Sequence, residues 1–439
     1  MTEQLETSAC RAYGTGMLKV TLVSCAVAGC GFPRPADVPD DVVVLTIQVS
    51  ASGDDANDGL ANPVKTLKRA IGLAVANREI TMIAVADGRY ETATGETFPY
   101  TVPPNVTVAG PPGGGAILAG NKAEPGLILG GGTLKNLEFE GFTVAITSNG
   151  QGELANVRVR ASDIAVRGET TAKLTMSNLD ITGAVGECAT GVEINGSADL
   201  VATDFAARAL GTSLRMRDQS TAKLIRANVT GDASCTASPV LLISSSNSFA
   251  LGESILDGGK EGIDFRDAAA PTQATLTNVT IRNAGSHAMQ GGTAIVHMTG
   301  GALSSNGTGG LETSGGIWTF TDVEVKQNTY FGIYLQNAVL AMHGCSVVGN
   351  GTGIHVITST SVDLGTAANG GNNVFQNRVL GVVIDGATQA DAVGNTWNPN
   401  VQGLTASVGM AHLLSFTARS PYVLGNNFAL GSDQSVLQR

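Results

Sequence analysis

Charge and aromatic rings are both scarce in this chain. Asp, Glu, Lys and Arg together make up 14% of it and Phe, Trp and Tyr 5%. The charge present leans acidic, with 37 carboxylates against 26 Lys and Arg and a formal net charge of −11. An acidic surface disfavours nucleic acid and polyanionic membranes as non-specific partners. Beyond the N-terminus no apolar run reaches the roughly 18 residues that a membrane-spanning helix needs. The five His residues show no HxxxH or HxxE grouping, so no zinc site is expected. No complete catalytic signature occurs anywhere. Gly is plentiful instead, at 57 residues, which suits a chain with many tight corners rather than a disordered one.

The chain also holds a repeat. In ATLTNVTIRN, from Ala274 to Asn283, Leu276, Val279 and Ile281 share one side, and Thr275, Thr277, Thr280 and Arg282 the other. The alternation breaks at Asn278. LKNLEF from Leu134, LANVRV from Leu154, MSNLDI from Met176 and FTDVEV from Phe320 have the same form. The polar or small residue at the break falls at Asn136, Asn156, Asn178, Asp204, Asn228, Glu253, Asn278, Gly300, Asp322 and Gly344, in steps of 20 to 26 residues. A period of that size marks a solenoid, whose repeats bury their apolar faces only by stacking. Two short strands flank each break. A third follows, as in GVEIN from Gly191, SLRMR from Ser213, GIDFR from Gly262, GIYLQ from Gly332 and GIHVI from Gly353. Three strands per repeat, with no helical stripe inside the repeats, give an all-β fold: a single right-handed parallel β-helix of ten to twelve coils. Asn tolerates the left-handed conformation of a tight corner and can bond its neighbours one coil above and below. A second polar corner is expected at Asn283, Asn306, Asn328 and Asn350.

Five segments follow in order. Residues 1–30 read as a signal: a basic start at Met17, an apolar run from Val20 to Ala28, then Gly29-Cys30, too short to span a membrane as a helix. The layout resembles a bacterial lipoprotein signal with Cys30 as the lipidated residue, in which case translation starts at Met17. Residues 31–45 form a Pro-rich acidic linker. Residues 46–110 are an N-terminal cap, residues 111–400 the β-helix, and residues 401–439 a C-terminal cap or tail. Inside the cap, Val64, Leu67, Ala70, Ile71, Ala74 and Val75 fall at helical spacing, and Asn62-Pro63 reads as its N-cap and first helical residue. A helix at this place would cover the open core and strand edges of the first coil.

Ser52-Gly53-Asp54, Asn57-Asp58-Gly59, Asn62-Pro63, Lys65-Thr66-Leu67, Ala70-Ile71 and Asp87-Gly88-Arg89-Tyr90 resemble the N-terminal signature of a secreted bacterial family of uncharacterised β-helix proteins within the pectate-lyase-like superfamily. The signature covers about 45 residues, and the coils extend the resemblance in fold alone to residue 400. It carries no catalytic residues over. The Lys or Arg base and the calcium-binding Asp cluster of pectate lyases have no local match, nor do the Asn-Thr-Asp, Asp-Asp and Gly-His-Gly elements of polygalacturonases.

The resemblance puts a ligand groove on the outward side of the third strand. There the sequence places Glu193 and Asn195, Arg215 and Arg217, Asp264 and Arg266, Glu312, Tyr334 and Gln336, His355, and Asp385. Asp264 with Arg215 or Arg217 is the candidate catalytic pair. Glu193, Arg266, Glu312, Tyr334 and His355 are candidate ligand contacts, with Tyr334 and His355 one coil apart and able to stack on a sugar. Asp54, Asp55 and Asp58 make a loop rich in the oxygen ligands calcium favours, but without EF-hand spacing, and Asx turns at a cap loop are the favoured account of it. No other cofactor is implied. Cys345 takes an inward slot. Cys188 and Cys235, two coils apart, can pair in an oxidising compartment. The functional expectation is an envelope-anchored or secreted, monomeric, non-catalytic protein. It would bind carbohydrate or surface partners along its solenoid face and touch membrane only through a lipid. The alternative is a polysaccharide lyase or glycoside hydrolase acting on acidic polysaccharide.

Overall fold

A computed structural model describes residues 45–245, 247–266, 270–366, 368–385, 389–397, 404–407, 412–414 and 428–430. The signal segment with Cys10, Cys25 and Cys30, nearly all of the linker and most of 401–439 therefore lie outside the described residues. So do the side chains of Trp397, expected as a plug, and of Asp385.

The compact unit that begins at Val44 is a parallel β-solenoid of about 13 turns. Each strand pairs in parallel with its equivalent one turn away. Three sheets result. Leu276, Met298, Phe320 and Met342 lie in register along the inner side of the first sheet. Val279 and Ile281 lie on the inner side of the second. Val192, Leu214, Leu241, Ile263, Met289, Leu311, Ile333, Ile354 and Val382 run unbroken down the third. All of these are buried, and complete burial of one such side chain stabilises by about 1.5–3 kcal/mol. Described strands at Leu404–Ser407, His412–Leu414 and Phe428–Leu430 continue the parallel pairing past residue 400, where the period is no longer visible in the sequence.

The corner between the first two sheets is a single left-handed residue. Asn136, Asn156, Asn178, Asp204, Glu253, Asn278 and Asp322 have φ between 52° and 56°, and Gly300 and Gly344 take 66° and 67°. One assignment from sequence is wrong. The corner of its turn is Arg226, at φ 55°, and Asn228 lies inside the following strand. Arg226 is held there by a bidentate pair with the corner one turn back, Nε to Asp204 Oδ1 at 2.7 Å and Nη2 to Oδ2 at 3.0 Å. The exposed corner asparagines chain together, Asn156 Nδ2 donating to Asn136 Oδ1 and Asn178 Nδ2 to Asn156 Oδ1.

A second ladder runs inside the solenoid through Asn306, Asn328, Asn350 and Asn377, each at most 1% exposed. Asn283 takes the left-handed corner expected of it, at φ 56°, but is exposed and bonds Asp257 rather than joining this ladder. Buried amides that satisfy one another in this way avoid the cost of unpaired polar groups.

The cap contains the helix α1, Leu67–Ala76. Its buried residues Leu67, Ala70, Ile71 and Ala74 join the same core as Ile47, Val49 and Ile83 of the first strands. It starts later than Asn62-Pro63. Val64 instead pairs with Val49 in a parallel bridge, keeping the chain extended up to Thr66. Thr66 is the N-cap, its Oγ1 accepting from Arg69 N at 3.1 Å. Two carboxylates remote in sequence complete this end, with Asp55 accepting from Lys65 N and Thr66 N, and buried Glu96 accepting from Leu67 N at 2.7 Å. Val75 faces solvent, 62% exposed.

Cys188 and Cys235 form a disulfide, with 5.5 Å between Cα atoms. They sit in loops between the second and third sheets, separated by a turn whose loop is reduced to a tight bend at Gly211. A side chain at Gly211 would meet Cys188 O at 2.7 Å, so only glycine lets the two flanking loops meet across that turn. Cys345 is buried, and burial pushes its thiol up to about 11.

Candidate functional site

Outward residues of the third sheet stack in register because the parallel pairing repeats without slippage for most of its length. One column runs Arg167, Glu193, Arg215, Leu242, Asp264, Gln290, Glu312, Tyr334, His355. Chemically it has two halves.

The first half neutralises itself. Glu193, 7% exposed, lies between Arg167 Nε at 3.6 Å and Arg215 Nη1 at 3.4 Å, and accepts from Asn195 Nδ2. Leu242 then interrupts the charges. The catalytic pair expected from sequence does not form: the turn of Leu242 separates Asp264 from Arg215, and Arg217 is exposed and registers with Ser244. Asp264 is instead tied to Arg266 Nε at 2.8 Å, two residues along its own strand.

The second half is aromatic. Tyr334 and His355 are register partners on adjacent turns, their rings 5.3 Å apart and edge to face. Phe331 lies 5.1 Å from Tyr334 and stacks on His287 at 5.7 Å. His287 and Phe331 are two turns apart with Gly309 between them in register. A side chain at Gly309 would reach the Phe331 ring at 2.3 Å, so its absence is what lets the two rings approach. Glu312 Oε2 is 2.7 Å from His287 Nε2, a charge contact lying off the line of the ring N–H. The His287 ring holds the Glu312 carboxyl below the usual range. Gln336 is exposed and follows a register shift after Leu335.

Ser286, His287, Phe331 and Gly309 escape the reading from sequence. That reading follows the outward residue two places after the glycine at Gly191, Gly262, Gly332 and Gly353. His287 precedes the equivalent position, where Ala288 replaces glycine and hides the pattern. The residue before it begins a second column that runs His287, Gly309, Phe331, Thr352.

The aspartates of the cap loop are engaged as turn and helix caps. Asp54 accepts from Ala56 N, Asp55 from Lys65 N and Thr66 N, and Asp58 from Leu60 N and Ala61 N. Those backbone bonds pull the Asp58 carboxyl below its usual range. Among the described residues no group of three or more His, Cys, Asp or Glu side chains could hold a metal. The arrangement therefore does not fit the calcium reading.

Three concavities among the described residues are lined without Phe331, Tyr334 or His355. One of about 510 Å³ on the first sheet is lined by Glu153, Lys173 and Asp199. A second of about 290 Å³ lies beside the exposed Asn ladder, with Arg158 and Asp180. A third of about 490 Å³ adjoins the Cys188–Cys235 loops and reaches Lys260 and Ser286.

Two family models match the chain. Residues 51–212 match a family described as a protein of unknown function, DUF1565, and residues 212–367 match the right-handed β-helix region. No curated protein matches the sequence. Solved structures with similar folds include the catalytic domain of a GH87 α-1,3-glucanase in complex with nigerose, at 13% identity and a TM-score of 0.43 over 89% of this chain and 70% of that one. Another is the periplasmic alginate epimerase AlgG, at 12% identity and a TM-score of 0.38 over 82% of this chain and 87% of that one.

Proposed function

For a chain that belongs to the right-handed parallel β-helix superfamily, we propose an exported protein that holds an extended polysaccharide along the third sheet without cutting it. One observation carries the reading: Phe331, Tyr334 and His355 stand in a continuous half-buried strip beside Glu312. Adjacent turns are about 4.8 Å apart, comparable to the length of one pyranose in an extended chain. Successive rings can therefore meet successive sugars, with apolar ring faces against the sugar C–H groups and Glu312 and His355 taking hydroxyls. The disulfide fits an oxidising compartment, and attachment through a lipid on Cys30 is part of the proposal. The lyase or hydrolase reading lacks its motivating pair, because Asp264 is bound to Arg266.

The test is binding of the soluble fragment from residue 31 to a panel of neutral and acidic polysaccharides by affinity electrophoresis and calorimetry. Loss of one ring contact of about 0.5–1.5 kcal/mol corresponds to a 2- to 13-fold weaker complex. Tyr334→Ala and Phe331→Ala are each expected to fall in that range. Unchanged affinity in the double variant rejects the strip as the site. Unsaturated uronate released from pectate or alginate, seen by ultraviolet absorbance and abolished by Asp264→Ala, would replace this reading with the lyase.

A further inference from the structure

At the edge of the strip Ser286 and His287, which sugar binding leaves unused, form a chain of contacts with Glu312 of the next turn. Ser286 Oγ is 3.0 Å from His287 Nδ1, and His287 Nε2 is 2.7 Å from Glu312 Oε2. His287 is 6% exposed, while Ser286 is half-buried and lines the concavity of about 490 Å³. A serine bonded to the histidine that follows it would by itself be a local feature of the chain. Here the opposite ring nitrogen meets a carboxylate from the next turn. The order of parts is that of an activated nucleophile: hydroxyl, imidazole, orienting carboxylate.

We propose that Ser286, His287 and Glu312 hydrolyse carboxylic esters, with O-acyl groups carried by a carbohydrate as the substrate class. The choice of carbohydrate rests on the binding strip, which the His287 ring enters through its stack on Phe331. The carboxylate beside Nε2 favours the tautomer protonated there and leaves Nδ1 as the acceptor. In acylation Oγ bonds to the ester carbonyl carbon as its proton passes to Nδ1. The bond from that carbon to the sugar oxygen then breaks, and Nδ1 returns the proton to the sugar hydroxyl. Solvent water then attacks the acyl-serine, giving a proton to Nδ1. Collapse releases the carboxylic acid and restores the serine hydroxyl. Glu312 offsets the imidazolium formed in each half.

The backbone donors of this turn are occupied: Ser286 N donates to Lys260 O, and Thr308 N and Gly309 N donate to Ser286 O. The cation left to face an oxyanion in the same concavity is Lys260, whose ammonium also contacts Glu261 at 2.8 Å. Cys235 forms part of the wall, so the disulfide fixes the cavity's shape.

The test uses a small activated ester, p-nitrophenyl acetate, and a fluorophosphonate probe, so it does not depend on any glycan being held. Peptide mapping of the labelled wild-type protein is expected to place the adduct on Ser286. Ser286→Ala and His287→Gln are expected to lower ester turnover by about 100-fold or more, and Glu312→Gln to lower it less. Ser177→Ala, an exposed serine on the first sheet, serves as control. Circular dichroism establishes that each variant is folded. The absence of an adduct on Ser286 in the wild type, or turnover unchanged in folded Ser286→Ala, overturns the proposal and leaves the binding strip untouched.

Discussion

Removing the Asn328 side chain is expected to destabilise the solenoid more than removing an outward one, and the difference measures how the interior ladder works. Its amide is fully buried. Nδ2 donates to Leu303 O at 3.1 Å and to Asn350 Oδ1 at 2.9 Å, while Oδ1 accepts from Asn306 N at 3.1 Å and Asn306 Nδ2 at 2.8 Å. In Asn328→Ala three groups lose a partner with no solvent to replace it: Asn306 N, Asn306 Nδ2 and Leu303 O. Asn350 Oδ1 keeps the backbone donor Asn328 N at 3.0 Å. Each orphaned group costs about 1–3 kcal/mol, and with partial relaxation the sum is expected near 4 kcal/mol. The comparison is Asn156→Gly on the exposed ladder. Water replaces its lost amide bonds there, and glycine keeps the left-handed corner as it does at Gly300 and Gly344. That change is expected to stay within about 1 kcal/mol. Urea unfolding is followed by Trp318 fluorescence in a Trp397→Phe background. Far-UV circular dichroism runs alongside, because solenoid turns can unfold separately. Trp318 is buried in the same turn as Asn328. If both variants lose the same amount, or Asn328→Ala loses less than 1 kcal/mol, the interior ladder is not what holds these turns together.

Reducing the Cys188–Cys235 bond, which spans 47 residues, is expected to lower stability by up to about 4 kcal/mol on the chain-entropy account. Urea midpoints with and without reductant measure this, and coincident curves reject it. Burial holds the Glu96 carboxyl above its usual range, although Tyr100, Leu67 and Lys68 donate to it. A raised carboxyl favours folding below the unfolded value near 4.5 and loses that contribution as pH climbs through the folded value. Glu96→Gln should therefore gain on the wild type as pH rises across that window, and a constant difference between their melting midpoints contradicts the account. Gly309→Ala would drive a methyl group into the Phe331 ring. It is expected to weaken polysaccharide binding about 3- to 10-fold while the fold stays intact by circular dichroism, and unaltered affinity argues against an ordered ring stack.

The inward columns of the fold were legible because a parallel stack imposes the same demand on every turn: an apolar, often β-branched residue at a fixed step. What the period hides is contact between residues far apart in sequence. Arg226 occupies a corner usually given to Asn, Asp or Gly because Asp204 one turn away clamps its guanidinium, and nothing local in the sequence announces that. The helix begins at Thr66 because Asp55 and Glu96 supply its cap. Asn62-Pro63, which looks like a helix start, lies on the approach to the Val64 bridge. Asp264 chose Arg266 over Arg215 for a geometric reason: i and i+2 on one strand point the same way, and a leucine intervenes in the column. Of the candidate site, Glu312, Tyr334 and His355 were visible from their strand positions. Their partners His287 and Phe331 were not, because they occupy a parallel column that a single-column pattern ignores.

A solenoid separates the demands on its residues more cleanly than a globular core does. Each inward residue supports its neighbours, whereas an outward residue on a solvated sheet adds little to stability and can vary freely. Outward positions that carry a cost are therefore the informative ones. A nearly buried imidazole at His287 must be matched by its surroundings, and Ser286 and Glu312 are what match it. A glycine at Gly309 weakens a strand relative to any residue with a side chain, and what it provides is room for Phe331 to lie against His287. Both costs fall on neighbouring turns of one sheet, beside a ring contact that joins register partners on adjacent turns of that sheet, Tyr334 with His355. Stability alone would have placed neither residue there, and that coincidence is the physical reason for locating function at this end of the third sheet.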